Sequence, residues 1–309
     1  MELFSRLNPV DKSVFYTRND PNDIRLGDIA MSEEKDYRNC NVVMLGCPQD
    51  EGIRRNNGRT GARMAPQEIR KALYRYPISN SHKYLRLFDI GNLPSVENLE
   101  QIHELQFHVV TQLIQDGKKV IVLGGGNDIS YPDCRALAGV IDPLLVFNID
   151  RHLDVRVADR INSGTPYRQL LDERIICPEL FHEVGINSFA NSPVYIDYVN
   201  DIGANIHYIG VIRATGIKTA IQSIVTKSSA NGIFFGFDLD AVRAVEAPGV
   251  SDPSPMGFTA REICAIADVA AADHRTKLIE ITEVNPQYDS GDITSKLAAN
   301  IIMRCLAKD

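Results

Sequence analysis

Leu144-Leu145-Val146-Phe147 is apolar at every position, and similar runs recur along the chain between helical patterns. A strand with one wet face alternates apolar and polar side chains. A strand that is apolar throughout needs cover on both faces, which is the situation of a parallel sheet between two layers of helices. Strand-like runs fall at 41–46, 85–90, 120–123, 144–149, 181–185, 206–211, 233–237 and 278–283. Helical patterns fall between and after them, at 66–74, 99–116, 131–138, 194–201, 217–228, 260–273 and 293–307. Thr259 followed by Glu262 has the spacing of a capping box, and Leu297, Ile301, Ile302 and Cys305 make an apolar stripe on the last helix. No repeat, linker or low-complexity segment interrupts the rhythm. The simplest expectation is one domain over 1–309, with 1–40 an extension leading into the first strand, built as an α/β/α sandwich on a parallel sheet of about eight strands.

The chain of 309 residues carries a net charge of −7 and no basic block. That argues against nucleic acid or an anionic membrane surface as its main partner. No apolar stretch approaches the ~20 residues that span a bilayer. The first residues have no apolar signal core. The six cysteines show no C-x-x-C spacing, so reduced core thiols and a cytoplasmic setting are expected. Nothing in the pattern decides the oligomeric state, and a homo-oligomer stays open.

Ligands of open parallel sheets bind beyond the carboxyl ends of the strands. Four chemically notable groups sit there: Asp150 after 144–149, Asp238 after 233–237, Asn127 shortly after 120–123, and Glu283 at the end of 278–283. In an extended segment alternate residues face one way, so Asp150-Arg151-His152-Leu153-Asp154 could aim three ligands at one point and leave Arg151 facing away. Asp238-Leu239-Asp240 repeats the spacing. A single D-x-H-x-D is more often a solvated turn, but a second D-x-D at an equivalent strand end favours a metal. Hard oxygen donors with one imidazole suit Mn²⁺ better than a thiolate-rich zinc site.

Gly124-Gly125-Gly126 matches neither a dinucleotide fingerprint nor a P-loop; it reads as a tight turn that brings Asn127 close. Arg54-Arg55-Asn56 lies in a loop at a strand end, where an anion-facing role and a plain solvated pair are about equally good readings. Ser163-Gly164-Thr165 is a turn or a substrate-contacting loop, flanked by Arg156 and Arg168. An arginine fork suits carboxylates, so the substrate is expected to be a small anion.

Taken in order, these segments resemble the ureohydrolase family of arginase, agmatinase and formiminoglutamase. The resemblance rests on Gly125-Gly126-Asn127, on Asp150-Arg151-His152-Leu153-Asp154, on Gly236-Phe237-Asp238-Leu239-Asp240 with Ala247-Pro248-Gly249, and on Glu283-Val284-Asn285-Pro286. The stretches 50–59 and 163–170 look most like formiminoglutamase. The resemblance implies an arginase-like fold holding two Mn²⁺ ions, with Asp150 and Asp238 bridging them. Asn127 and Asp154 would complete one ion, His152 and Asp240 the other. A bridging hydroxide would attack the formimino carbon of N-formimino-L-glutamate in histidine degradation, releasing L-glutamate and formamide. Asp154 would pass a proton to the leaving amine and Glu283 would orient the amidine. Arg156, Ser163 and Arg168, with Arg54 or Asn56, would hold the carboxylates. Asn127 replaces the family's histidine, and its neutral amide should hold the nearer Mn²⁺ weakly. Another amidine or guanidine hydrolase, or a metal-poor homologue without catalysis, are the alternatives.

Overall fold

A computed structural model describes residues 2–95 and 98–307. Its sheet has eight parallel strands: β1 (Val42–Gly46), β2 (Leu87–Asn92), β3 (Lys119–Leu123), β4 (Leu144–Ile149), β5 (Phe181–Ile186), β6 (Asn205–Tyr208), β7 (Gly232–Asp238) and β8 (Thr276–Thr282). Their order is β2-β1-β3-β8-β7-β4-β5-β6, which puts β8, β7 and β4 side by side at the centre.

The all-apolar runs are split by the pleat between two cores. Met44, Ile121, Leu145, Phe147, Ile233, Phe235, Ile279 and Ile281 join one, packed with helices Ala65–Leu73, Ile217–Lys227, Ala260–Ala272 and Ile293–Leu306. Val43, Leu45, Val120, Val122, Val146, Phe234 and Leu278 join the other, under helices Leu99–Gln115, Ser130–Ala138 and Pro166–Asp172. Phe147 stacks on Phe235 with centroids 4.6 Å apart. Such a buried ring contributes roughly 3–5 kcal/mol relative to alanine. A buried ion pair ties the first core to the sheet edge. Arg70 grips both carboxylate oxygens of Asp89, at 2.8 and 2.9 Å, and Tyr74 Oη donates to the same carboxylate.

The eight strands fall where the sequence places them, to within a few residues. The clearest difference is at β6, which ends at Tyr208; the apolar residues after it wind directly into helix Ile209–Thr215. Ile212 is buried there while Val211 faces solvent, so a run that read as strand is one face of a helix. The capping box at Thr259 and Glu262 is present. Short helices Leu26–Ile29, Glu51–Arg55 and Pro166–Asp172 lie within segments that carry no long periodic pattern. No described helix is long and apolar enough to cross a membrane.

Candidate metal centre

β4 and β7 are neighbours, and each hands an aspartate to the same rim: Asp150 immediately after β4 and Asp238 as the last residue of β7. Both patches then fold alike. Asp150 Oδ1 accepts from the His152 amide at 2.8 Å, and Asp238 Oδ1 accepts from the Asp240 amide at 2.9 Å. These tight side-chain turns bring the second acid or imidazole of each patch round to the first. Asp150, His152 and Asp154 offer ligand atoms within 4.8 Å of one another, and so do Asp150, Asp238 and Asp240. Asp150 belongs to both groups, as a carboxylate shared by two cations must.

Two members hold strained backbone. Asp154 has φ of 47° and Glu283 has φ of 62°, the left-handed region. For residues with a Cβ this costs roughly 1–3 kcal/mol each and recurs at functional sites. At Asp154 it turns the carboxylate back toward the cluster, where Asn127 Nδ2 donates to Oδ2 at 2.6 Å. At Glu283 it lets Oε1 accept from the Asn127 amide at 2.8 Å. The glycine turn before Asn127 exists for close approach: a Cβ on Gly125 would stand 1.6 Å from the carbonyl oxygen of Gln49. Asp128 faces inward instead, accepting from His103 and Gln49 at 2.8 Å each.

The electrostatics call for a cation. Burial, then Asp240 and Asp150, pushes Asp238 well above the usual carboxylate range. Burial and Asp240 raise Asp150 and Glu283 in the same sense. Burial and Asp150 push Asp154 up to about 7. Burial pulls the His152 imidazole down, but Asp240, Asp150 and Asp252 outweigh it and lift it well above 6.5. Asp240 Oδ1 is buried with no hydrogen-bond partner. Hard carboxylate oxygens, one imidazole and no thiolate fit Mn²⁺, and a divalent ion would relieve the mutual repulsion.

One turn of the pleat below lies a second polar row. Glu183, Asn148, Gly236 and Glu280 are register partners across β5, β4, β7 and β8, each two residues before the rim. Asn148 Nδ2 bridges Glu183 at 2.8 Å and Asp150 at 3.5 Å. Ser130 Oγ lies 2.5 Å from Glu280 and 2.9 Å from Asn127 Oδ1. Burial and the neighbouring Asp133 push Glu280 well up, so this layer favours shared protons over bare charge.

A cavity of about 500 Å³ opens over the cluster, lined among others by Asn56, Arg59, His152, Asp154, Arg156, Ser163, Asp238, Asp240, Asp252 and Glu283. Of the expected anion-binding residues, Asn56, Arg156 and Ser163 line it, and Asn56 Nδ2 donates to Ser163 Oγ at 3.1 Å. Arg54 and Arg168 do not. Arg54 pairs with Glu51 at 2.6 Å, and Arg168 pairs with Asp172 at 2.7 Å while lying over the Tyr198 ring. Both pairs are local helical contacts, at i,i+3 and i,i+4, and they neutralise the guanidiniums. Arg59, not singled out from the sequence, lines the cavity as well: it lies over the Tyr288 ring and bonds the carbonyl of Val250 at 2.5 Å. Among the described residues neither Arg59 nor Arg156 has a carboxylate in ion-pair range. Arg151 does not face away either. It is buried, pairs with Asp252, and stands 3.8 Å from Asp240 Oδ1, because the turn at Asp150 breaks the extended alternation.

The chain belongs to the arginase family, whose model matches residues 40–307. A formimidoylglutamase of Bacillus subtilis is 32% identical over 276 residues, covering 85% of this chain and 86% of that protein. The solved formimidoylglutamase of B. subtilis superposes with a TM-score of 0.87 at 28% identity, covering 94% of this chain and 93% of that one. A Trypanosoma cruzi formiminoglutamase solved with Mn²⁺ gives 0.86 at 29% identity, over 92% of this chain and 98% of its own.

Proposed function

We propose that this chain is a manganese-dependent formimidoylglutamase of histidine degradation, hydrolysing N-formimino-L-glutamate to L-glutamate and formamide. The carrying observation is the pairing of a cation-demanding acid cluster with two guanidiniums, of Arg59 and Arg156, that have no carboxylate of their own in one cavity. The substrate has the complementary layout, an amidine at one end and two carboxylates at the other. The relatives named formimidoylglutamase support this choice within the family.

Two Mn²⁺ ions would supply Lewis-acid polarisation and a water acidic enough to react near neutral pH. Asp150 and Asp238 would be shared between them, with Asn127 and Asp154 on one and His152 and Asp240 on the other. The amide of Asn127 is a weaker donor than an imidazole, so its ion would be the more loosely held. Arg59 and Arg156 bind the carboxylates, and Asn56 and Ser163 complete that end by hydrogen bonding. Glu283 pairs with the amidine nitrogens and orients the carbon for attack. Asp154 takes the proton of the attacking water and delivers it to the departing amine of glutamate. One water is consumed, its oxygen ending in formamide.

The reading includes a single catalytic domain over 1–309 and a cytoplasmic setting, in keeping with cysteines that are all unpaired. The test is to load the protein with Mn²⁺, count the bound metal, and assay formiminoglutamate beside arginine, agmatine and guanidinobutyrate. Glutamate release from formiminoglutamate alone is expected. Turnover of a guanidine compound instead would move the chain elsewhere in the family, and no turnover at saturating Mn²⁺ would make it a metal-poor homologue.

A further inference from the structure

The side-chain amide of Asn127 is held at both ends. Outward, Nδ2 donates to Asp154 Oδ2 at 2.6 Å. Inward, Oδ1 accepts from Ser130 Oγ at 2.9 Å and Thr282 Oγ1 at 3.2 Å. Ser130 has a second acceptor, Glu280 Oε1, at 2.5 Å. A hydroxyl has one proton and can both donate and accept. Ser130 therefore donates to Asn127 or to Glu280, and accepts through its remaining lone pairs.

This makes the inner end indifferent to a half-turn of the amide. After such a turn Nδ2 donates to Ser130 and Thr282, and the Ser130 proton points to Glu280. At this inner end both hydroxyl oxygens keep Asn127 as a partner, with Thr282 changing from donor to acceptor. The outer end, however, changes from donor to acceptor. With no cation present, an outward oxygen would oppose the Asp154 carboxylate, so nitrogen faces out. With a cation beside Asp154, oxygen is the atom that can ligate it.

We propose that Ser130, backed by Glu280 and flanked by Thr282, is a positioning residue: a two-way hydroxyl cradle that lets Asn127 present nitrogen to Asp154 in the metal-free protein and oxygen to Mn²⁺ in the loaded one. The inference rests on the reading that Asn127 faces the metal. Without the cradle, the ligating orientation buries an amide N–H with no acceptor, which opposes metal binding at this position alone.

The test is Mn²⁺ titration by calorimetry, with bound ion counted by electron paramagnetic resonance, on Ser130→Ala, Thr282→Val and Thr282→Ser. Each is made beside the parent and in an Asn127→His background. Ser130→Ala should weaken the looser ion on the order of tenfold and leave the tighter one unchanged. Thr282→Val should weaken it less, and Thr282→Ser should restore it. The Asn127→His background has no amide to turn, so there the Ser130→Ala loss should shrink several-fold. Equal loss in both backgrounds, or none in either, would overturn the cradle while leaving the metal reading intact. If Asn127→His itself leaves Mn²⁺ affinity unchanged, Asn127 is not at the metal and both readings fall. Should Ser130→Ala not fold, judged by its metal-free melting curve, the Thr282→Val and Thr282→Ser pair decides alone.

Discussion

The Arg151 guanidinium stands 3.8 Å from Oδ1 of Asp240, a carboxylate of the proposed ligand set, while its other edge pairs with Asp252 at the cavity wall. A fixed positive charge there already neutralises part of the cluster and competes with any cation that Asp240 would bind. Arg151→Ala should therefore tighten Mn²⁺ at the Asp240 end by about tenfold, a change equivalent to roughly 1.4 kcal/mol. Calorimetric titration reads this directly. Weaker metal binding in the variant would mean that Arg151 supports the site rather than opposing the ion.

Arg59 and Arg156, which line the cavity, differ from Arg54 and Arg168, which do not, in their partners. Arg59→Ala and Arg156→Ala remove unpaired guanidiniums from the cavity and should each raise KM for formiminoglutamate on the order of tenfold or more. Arg54→Ala and Arg168→Ala remove charges already matched by Glu51 and Asp172, and should change KM less than about threefold. Steady-state kinetics on the four variants settles it, and the opposite ranking would restore the rim expected from sequence.

The acid cluster makes stability depend on pH in a direction opposite to ordinary surface carboxylates. Burial and Asp150 raise Asp154 from 3.8 to about 7, and Asp150 and Asp238 are raised as well. The metal-free fold thus binds protons that the unfolded chain has released. That contribution is fully present below the unfolded value and is lost as pH climbs through the folded one, about 7 for Asp154. Bound Mn²⁺ reverses the preference by stabilising the ionised acids. Melting curves with Mn²⁺ and with chelator should separate more widely at about pH 8 than at about pH 6. A gap that narrows with rising pH would contradict the assignment.

Away from the site, Arg70→Met leaves the Asp89 carboxylate buried without its guanidinium. Breaking such a pair costs roughly 3–5 kcal/mol. Denaturant unfolding should show that loss, while Mn²⁺ stoichiometry of the folded protein stays as in the parent. A loss below about 1 kcal/mol would mean that Asp89 finds another partner or is protonated.

The strands and acid patches were legible because their signals are local: a run of apolar residues needs two-sided cover, and aspartates directly after β4 and within the end of β7 can reach only the rim. The arginines were less so. Which carboxylate a guanidinium takes depends on folding distance, although Glu51 and Arg54, or Arg168 and Asp172, stand at helical spacing that hinted at mutual capture. Arg59 was hidden because its neighbours, Tyr288 and Val250, come from distant loops. Asp252 and Arg151 also needed the fold, since a turn at Asp150, not strand alternation, decides where Arg151 points. The second polar row was invisible for the same reason: Glu183, Asn148 and Glu280 become neighbours only through strand register.

The contact between Gly125 and the Gln49 carbonyl is one of backbone against backbone, with no side chain between. It sets the segment leading into Asn56 and Arg59 directly against the loop that carries Asn127. If Asn56 and Arg59 anchor the charged tail as proposed, the spacing between that anchor and the acidic floor is set by backbone rather than by adjustable side chains. Ligands one methylene shorter or longer are then expected to bind more weakly, and a side chain at position 125 would reset the scale.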